Sequence, residues 1–304
     1  MKQFGNEEGL RAAVELVRYE VDAGASVAFI TLDRPDKLNA LSVAMRQRIV
    51  TLMAQANADP GVRVIVLRGA GRCFSSGDEL NEDWGQRKPG ERRHTVTQTY
   101  RYGTTLVAGR TGFVQAISRS AKPVVARVHG YCYGAGYTHL AAQCDIVVAT
   151  PDAQFGSPQS RYLGATIPGA RHIRILGPKA ALRIGFTGTL ITGTEAHRLG
   201  LVHVLAPLDS LDELVQEVCR DIGRQPPVEV LGLKARIRAS EAAMGVLIPT
   251  LVGAGMGHLL RRDEGEQDFW ANARQSGVGA ALARDRSRKG VIDPRAADAA
   301  EAEE

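Results

Sequence analysis

The sequence predicts an α/β fold built on a buried, largely parallel sheet. Three observations carry this expectation. Short apolar runs alternate with segments of helical periodicity through the first two thirds of the chain. Several of those runs are apolar throughout rather than alternating, the pattern of strands covered on both faces. From Gln225-Pro226-Pro227 to about residue 285 no strand pattern appears, which predicts a helical C-terminal region.

In chain order, Ser26–Leu32 reads as a strand ended by the turn signal Asp33-Arg34-Pro35. Leu41, Met45, Ile49, Leu52 and Ala56 then mark one apolar helical face, with Ser42 as cap and Asp59-Pro60-Gly61 as stop. Val62–Leu67, Pro123–Val128 and Asp145–Ala149 follow as buried strands. Thr192-Gly193-Thr194-Glu195 and Ser210-Leu211-Asp212-Glu213 both have capping-box spacing. The second opens a helix carrying Leu214, Val215, Val218 and Ile222 on one side. Farther on, Ala254, Met256, Leu259 and Leu260 beside charged residues predict a helix packed on a partner subunit. The tail from Arg295 has nothing to bury.

Composition narrows the function. With 304 residues, 44% hydrophobic and 23% charged of both signs, the chain is not disordered. It has no apolar run near the roughly 20 residues that span a bilayer, and Met1–Glu8 does not resemble a signal peptide. The expectation is a cytoplasmic protein without a membrane partner. The net charge of +5 is scattered and accompanies no nucleic-acid signature. Its densest stretch, Arg87, Lys88, Arg92, Arg93 and Arg101, reads as a solvated face or a landing surface for a phosphorylated ligand. Cys73, Cys132, Cys144 and Cys219 lack CxxC or disulfide spacing and read as small buried hydrophobes.

Two glycine-bearing loops each follow an apolar strand: Gly69–Leu80, and His129-Gly130-Tyr131-Cys132-Tyr133-Gly134-Ala135-Gly136. Small residues admit a ligand close to the backbone, and a helix start offers unpaired N–H groups. Two such loops could aim two amides at one developing oxyanion.

Together these segments resemble the crotonase (enoyl-CoA hydratase/isomerase) superfamily. The resemblance is collinear from about residue 26 to 205. It runs through Thr31–Leu41, Phe74–Leu80, Gly130–Asp145, Ala153–Gly156, Leu163-Gly164, Pro168-Gly169, Leu190–Gly193, Glu195-Ala196 and Gly200–Val202. It implies a spiral of ββα units over 1–205 holding an acyl-CoA thioester, and a 206–304 helical region building trimers or hexamers. CoA would be part of the substrate, with no separate cofactor and no metal. By the same resemblance, Ser76 and Ala135 supply the two thioester-binding amides. Lys37, Leu38 and Ala40 form part of the CoA surface, with Gly134 at the second loop. Ser76, Gly77, Asp78 and Glu79 line the acyl and pantetheine channel, and Asp145 is a structural acid.

The departures concern chemistry. A hydratase of this family uses two glutamates to position a water and move its proton. Here Tyr137-Thr138-His139 stands at the first place with one residue more than usual. Counting forward selects Thr138; counting back from Cys144-Asp145 selects His139, and absorbing the insertion in the loop favours His139. At the second place stands Gln159, which accepts no proton at neutral pH. His139 could act as a base near its ordinary pKa or be a satisfied core residue; His94, His129 and His172 are further candidates. A Cys132/His139/Cys144 metal site fits no standard ligand spacing. Three readings follow: an enoyl-CoA hydratase or isomerase stabilising an enolate, a hydrolase of the same fold driven by histidine, or an acyl-CoA binder without turnover. A Rossmann reading of Gly253-Ala254-Gly255-Met256-Gly257 lacks the third glycine spacing and a preceding strand.

Overall fold

The computed structural model describes residues 15–80, 112–158, 170–245 and 264–288. Strands β1 (Val17–Asp22) and β2 (Val27–Leu32) form an antiparallel pair. Pairing is then parallel: β2 with β3 (Val64–Gly69), β3 with β4 (Val124–Val128), β4 with β6 (Ile146–Ala149), and β6 with β9 (Val204–Leu205). A second sheet runs in the order β5 (Tyr131–Tyr133), β7 (Gln154–Gly156), β8 (Ile191–Thr192). The described helices are α1 (Val43–Ala58), α2 (through residues 112–118), α3 (Ala170–Leu176), α4 (Pro178–Thr187) and α5 (Gly193–Arg198). They continue with α6 (Leu211–Arg224), α7 (Pro227–Ala243), α8 (Glu264–Ser276) and α9 (Val278–Arg288). The α/β class, the parallel pairing and the C-terminal helices agree with the expectation. Strand β1 lies outside it because it is a half-exposed edge, and β5, β7 and β8 are too short to leave a period.

Alternation along the large sheet divides the core. Ala28, Ile30, Leu32, Ile65, Leu67, Val124, Ala126 and Val128 face the main cluster, which includes Leu41, Met45, Ile49 and Leu52 around α1. Val27, Val64, Val66, Val125 and Val148 face the other way, onto Leu211, Val215 and Cys219 of α6. Helix α6 therefore closes the core, although the sequence boundary at 205 assigned it to the C-terminal region. All four cysteines are buried and free.

The caps divide likewise. Ser42 Oγ accepts the Met45 amide at 3.1 Å, and Thr192 Oγ1 accepts the Glu195 amide at 3.2 Å. Ser210 makes no such bond; its φ/ψ of −105/0 is not the extended cap conformation. The second capping box therefore does not form.

Helix α7 inverts the usual pattern. Its sheet-facing side is polar: Lys234 Nζ donates to Asp145 at 2.5 Å, Arg238 pairs with Asp145, and Glu241 accepts from Arg238 and Arg171 at 2.7 Å each. Asp145 also accepts the Val124 amide at 2.8 Å, so one carboxylate ties α7 to β4, as expected of a structural acid. Val228, Leu233, Ile237 and Met244 point outward. The predicted partner-facing residues 254–260 and the tail lie outside the described residues. Among the described residues no helix is long and apolar enough to cross a membrane.

Candidate functional site

The site is assembled from three segments held edge to edge. The first, after β2, turns through Leu38 and Asn39, both with positive φ (53° and 54°). Asn39 is fully buried: its Oδ1 accepts the Arg34 amide at 2.9 Å, and its Nδ2 donates to Ala70 O and Cys73 O at 2.9 and 2.8 Å. A short polar side chain that tolerates the left-handed region thus staples this turn to the loop after β3. The sequence reading did not single out Asn39; its signal was an asparagine followed by an apolar helix.

The second segment, Ser75–Asp78, is an extended strip between the other two. Isolated bridges join Asp78 to Leu41 and Ser75 to Cys132. Gly77 has φ +98, and a Cβ there would lie 2.9 Å from Tyr133 O and 3.3 Å from Ala135 N, so only glycine lets the strips meet.

The third segment runs from β5 through Gly134 into the Ala135 turn. The Ala135 amide is buried, with the alanine 2% exposed at an ordinary helical φ of −64. As the start of a helical turn it has no intrahelical acceptor, and it makes no hydrogen bond to any described residue. Buried backbone N–H groups left like this are rare.

The expected partner amide is placed differently. Ser76 N–H donates to Leu38 O at 2.8 Å and is committed to the staple. Leu41 donates to Gly77 O at 2.7 Å and accepts from Glu79 N–H at 3.2 Å. In a parallel bridge of this kind the amide between those two bonds, that of Asp78, turns to the opposite side. That side is where Gly77 meets Ala135.

The channel residues separate by role. Lys37 is exposed, Leu38 and Ser76 are half-buried, and Ala40 is buried. Lys37, Leu38 and Ser76 lie together, Ser76 Oγ reaching toward Lys37 O at 3.5 Å. The Asp78 and Glu79 carboxylates are turned onto guanidinium groups, Asp78 on Arg46 and Glu79 on Arg34 at 2.7 Å. They brace the strip through their side chains.

The inserted residue sits inside the helix. Gly136–Leu140 is a π-turn, with Ala141 N–H reaching Gly136 O and Tyr137 O. The expectation that the loop absorbs it is thereby corrected: the extra residue widens one helical turn, and the loop keeps its bond from Gly134 N–H to Gly156 O at 2.9 Å. Thr138 is buried, its hydroxyl donating to Gly134 O at 2.9 Å. His139 is half-buried on the same turn. Gln159 and His94 lie outside the described residues.

The remaining histidines part company. His172 on α3 is fully buried beside Tyr137, and burial pushes its pKa down to about 3. His129 belongs to the α6 face: Arg127 donates to its Nδ1 at 2.6 Å, its Nε2 meets Gly71 O at 2.7 Å, and Asp212 holds Arg127 at 2.9 and 3.0 Å. Desolvation, with Arg127 adding to it, lowers its pKa too. A cleft of about 460 Å³ opens there, lined by Arg18, Arg68, Arg72, Arg127 and Asp212. It lies across the sheet from Ala135, so its size does not make it the thioester site.

A largely parallel six-stranded sheet, a short second sheet and a buried amide without an acceptor among the described residues are arranged as in the crotonase fold. A sequence profile described as enoyl-CoA hydratase/isomerase matches residues 22–246, and the chain belongs to that family. It is 32% identical over 219 residues to the 2,3-dehydroadipyl-CoA hydratase of Escherichia coli, covering 71% of this chain and 79% of that protein. It is 31% identical over 228 residues to a peroxisomal Δ(3,5)-Δ(2,4)-dienoyl-CoA isomerase of Arabidopsis thaliana, covering 73% and 80%. The crystal structure of an enoyl-CoA hydratase/isomerase from Xanthobacter autotrophicus superposes with a TM-score of 0.80 at 30% identity, over 90% of this chain and 98% of that one.

Proposed function

We propose that this chain binds an acyl-CoA thioester, polarises its carbonyl with the Ala135 and Asp78 amides, and runs hydratase- or isomerase-type chemistry through an enolate. The observation carrying this reading is the buried Ala135 N–H without an acceptor. A thioester oxygen placed there gains negative charge as the α-proton leaves. A fixed amide supports that charge without reorganising, and one such donor is worth roughly 3 kcal/mol of barrier. Asp78 replaces Ser76 in this role because of where its amide points; its carboxylate stays on Arg46.

His139 takes the proton. It is the imidazole on the widened turn, and imidazole is the commonest protein general base; the Thr138 hydroxyl instead donates to Gly134 O. Gln159 remains the proposed holder of a water or carbonyl at the second position. Lys37, Leu38, Ala40, Ser76 and Gly77 form the CoA-facing strip, with Gly134 behind the donor.

The outward apolar side of α7, together with Leu182 and Phe186 (83% exposed) on α4, supports assembly of copies as a homotrimer or hexamer. Such faces are seldom left bare on a monomer.

The test is α-proton exchange. Butyryl-CoA incubated with the protein in D2O incorporates deuterium at the α-carbon by mass spectrometry, and His139→Ala slows incorporation by about 10²-fold or more. Absence of exchange with CoA thioesters that do bind would leave a binder without turnover, and release of free CoA would favour the hydrolase.

A further inference from the structure

The cleft of about 460 Å³ on the α6 side of the large sheet takes no part in the roles above. Sheet register builds its floor. Arg18 of β1 pairs with Thr31 of β2, Thr31 with Arg68 of β3, and Arg68 with Arg127 of β4. Residues paired across a sheet share a face, here the face on which Val64, Val66 and Val125 meet α6. That apolar face gives way to the polar row at the end where α6 begins, with Asp212 holding Arg127. Arg72, on the loop after β3, and Thr150, just past β6, also line the cleft.

Four guanidinium groups but two carboxylates, Asp152 and Asp212, line it, a surplus of two positive charges. His129 adds none. A guanidinium only donates, so His129 Nδ1 accepts from Arg127 and its Nε2 carries the proton toward Gly71 O. Several donors remain unspent. Arg68 has Nε on Thr31 and Nη2 on Glu20, and its Nη1 has no partner among the described residues. Arg72 pairs with no carboxylate among them. Thr150 is 2% exposed, and its Oγ1 likewise has no partner there. Like charges on neighbouring strands, such as Arg68 and Arg127, repel across about 4.8 Å of sheet. An anion between them removes that repulsion. Guanidinium groups grip phosphate bidentately, and a phosphate monoester carries about −1.5 to −2 at pH 7, which matches the surplus. The volume falls within the roughly 300–1,000 Å³ of small-molecule sites, with room for the body of an ester beside exposed Leu208.

We propose that this cleft is a second ligand site, separate from the thioester site, that binds a small phosphate monoester. Arg68, Arg72 and the Thr150 hydroxyl bond the phosphate. Arg127, already held by Asp212 and His129, contributes charge.

The experiment is calorimetry at fixed ionic strength on the full chain, as native protein, Arg72→Ala, Thr150→Val and Arg220→Ala, with ribose 5-phosphate, inorganic phosphate and succinate. Ribose 5-phosphate binds native protein tighter than inorganic phosphate and at least about tenfold tighter than succinate. Arg72→Ala and Thr150→Val each weaken it about tenfold or more. Both variants should fold, since Arg72 is exposed and valine keeps the branching of threonine. Arg220, exposed on α6 away from the lining, reports bulk charge, and Arg220→Ala leaves the affinity unchanged. An equal loss in Arg220→Ala would mean diffuse attraction and overturn the site. No binding, equal binding of succinate, or unaltered affinity in either cleft variant overturns it as well. The inference does not rest on the acyl-CoA reading: saturating butyryl-CoA leaves ribose 5-phosphate bound, and displacement would merge the cleft with the thioester site and overturn a second ligand.

Discussion

Replacing His172 by leucine makes the protein more stable, increasingly so in acid. The native imidazole is fully buried with both nitrogens unpaired. An unsatisfied buried polar group costs about 1–3 kcal/mol, and exchanging it for an apolar group of similar shape removes that cost. The gain at pH 7 is therefore about 1–3 kcal/mol, less whatever misfit the leucine introduces. Acid adds a second part. Burial first, then His139 and Arg171, lower the folded pKa to about 3, against about 6.5 in the unfolded chain. A depressed pKa means that the unfolded state takes the proton first. Stability is thus full above about pH 6.5 and falls as pH drops from there toward 3, by up to ~1.4 kcal/mol per unit from this group. Between pH 7 and 5 the loss is about 2 kcal/mol. His129 and His203 are lowered too and steepen the native curve, so the readout is the difference between proteins. Denaturant unfolding of native protein and His172→Leu at pH 7 and pH 5 measures it. The gap between them widens by about 2 kcal/mol at the lower pH. Parallel losses, or a leucine variant less stable than native at both pH values, would refute the claim of a buried, neutral, unpaired imidazole.

Three further expectations are simpler. Ala135→Pro removes the amide while keeping a φ that proline accepts, −64 in the native turn; kcat/KM falls about 10²–10³-fold with the circular dichroism spectrum unchanged. Asp145→Ala leaves Lys234 and Arg238 without their shared carboxylate and the Val124 amide without its acceptor; chemical unfolding shows a loss of about 3 kcal/mol, and a loss under 1 would mean that α7 docks by other contacts. Phe186→Asp puts a charge on a largely exposed aromatic of α4; light scattering reports a smaller assembly, and an unchanged mass removes this face from the interface.

Much of the frame was readable without coordinates, for local reasons. Runs such as Val64-Ile65-Val66-Leu67 are apolar on both faces because helices cover both sides of a parallel sheet. Ser42 and Thr192 are caps because a hydroxyl three residues before an amide reaches it in an extended cap. Ser210 has the same spacing and fails, because Pro207 draws its hydroxyl at 3.4 Å and the backbone takes another conformation. Strand β1 escaped because an exposed edge carries little hydrophobic signal.

The site divides along the same line. By itself the sequence determined the fold class, the two glycine loops and the family resemblance. These depend on residue type and spacing along the chain. Only the tertiary structure decided which amide of the first loop turns toward Ala135, since that direction follows from a bridge between Asp78 and a residue 37 positions earlier, Leu41. It likewise decided that the extra residue widens a helical turn, and that His172 rather than His129 packs beside that turn. Hydrogen-bond direction and burial are properties of what lies across the fold, and neighbours in sequence do not encode them.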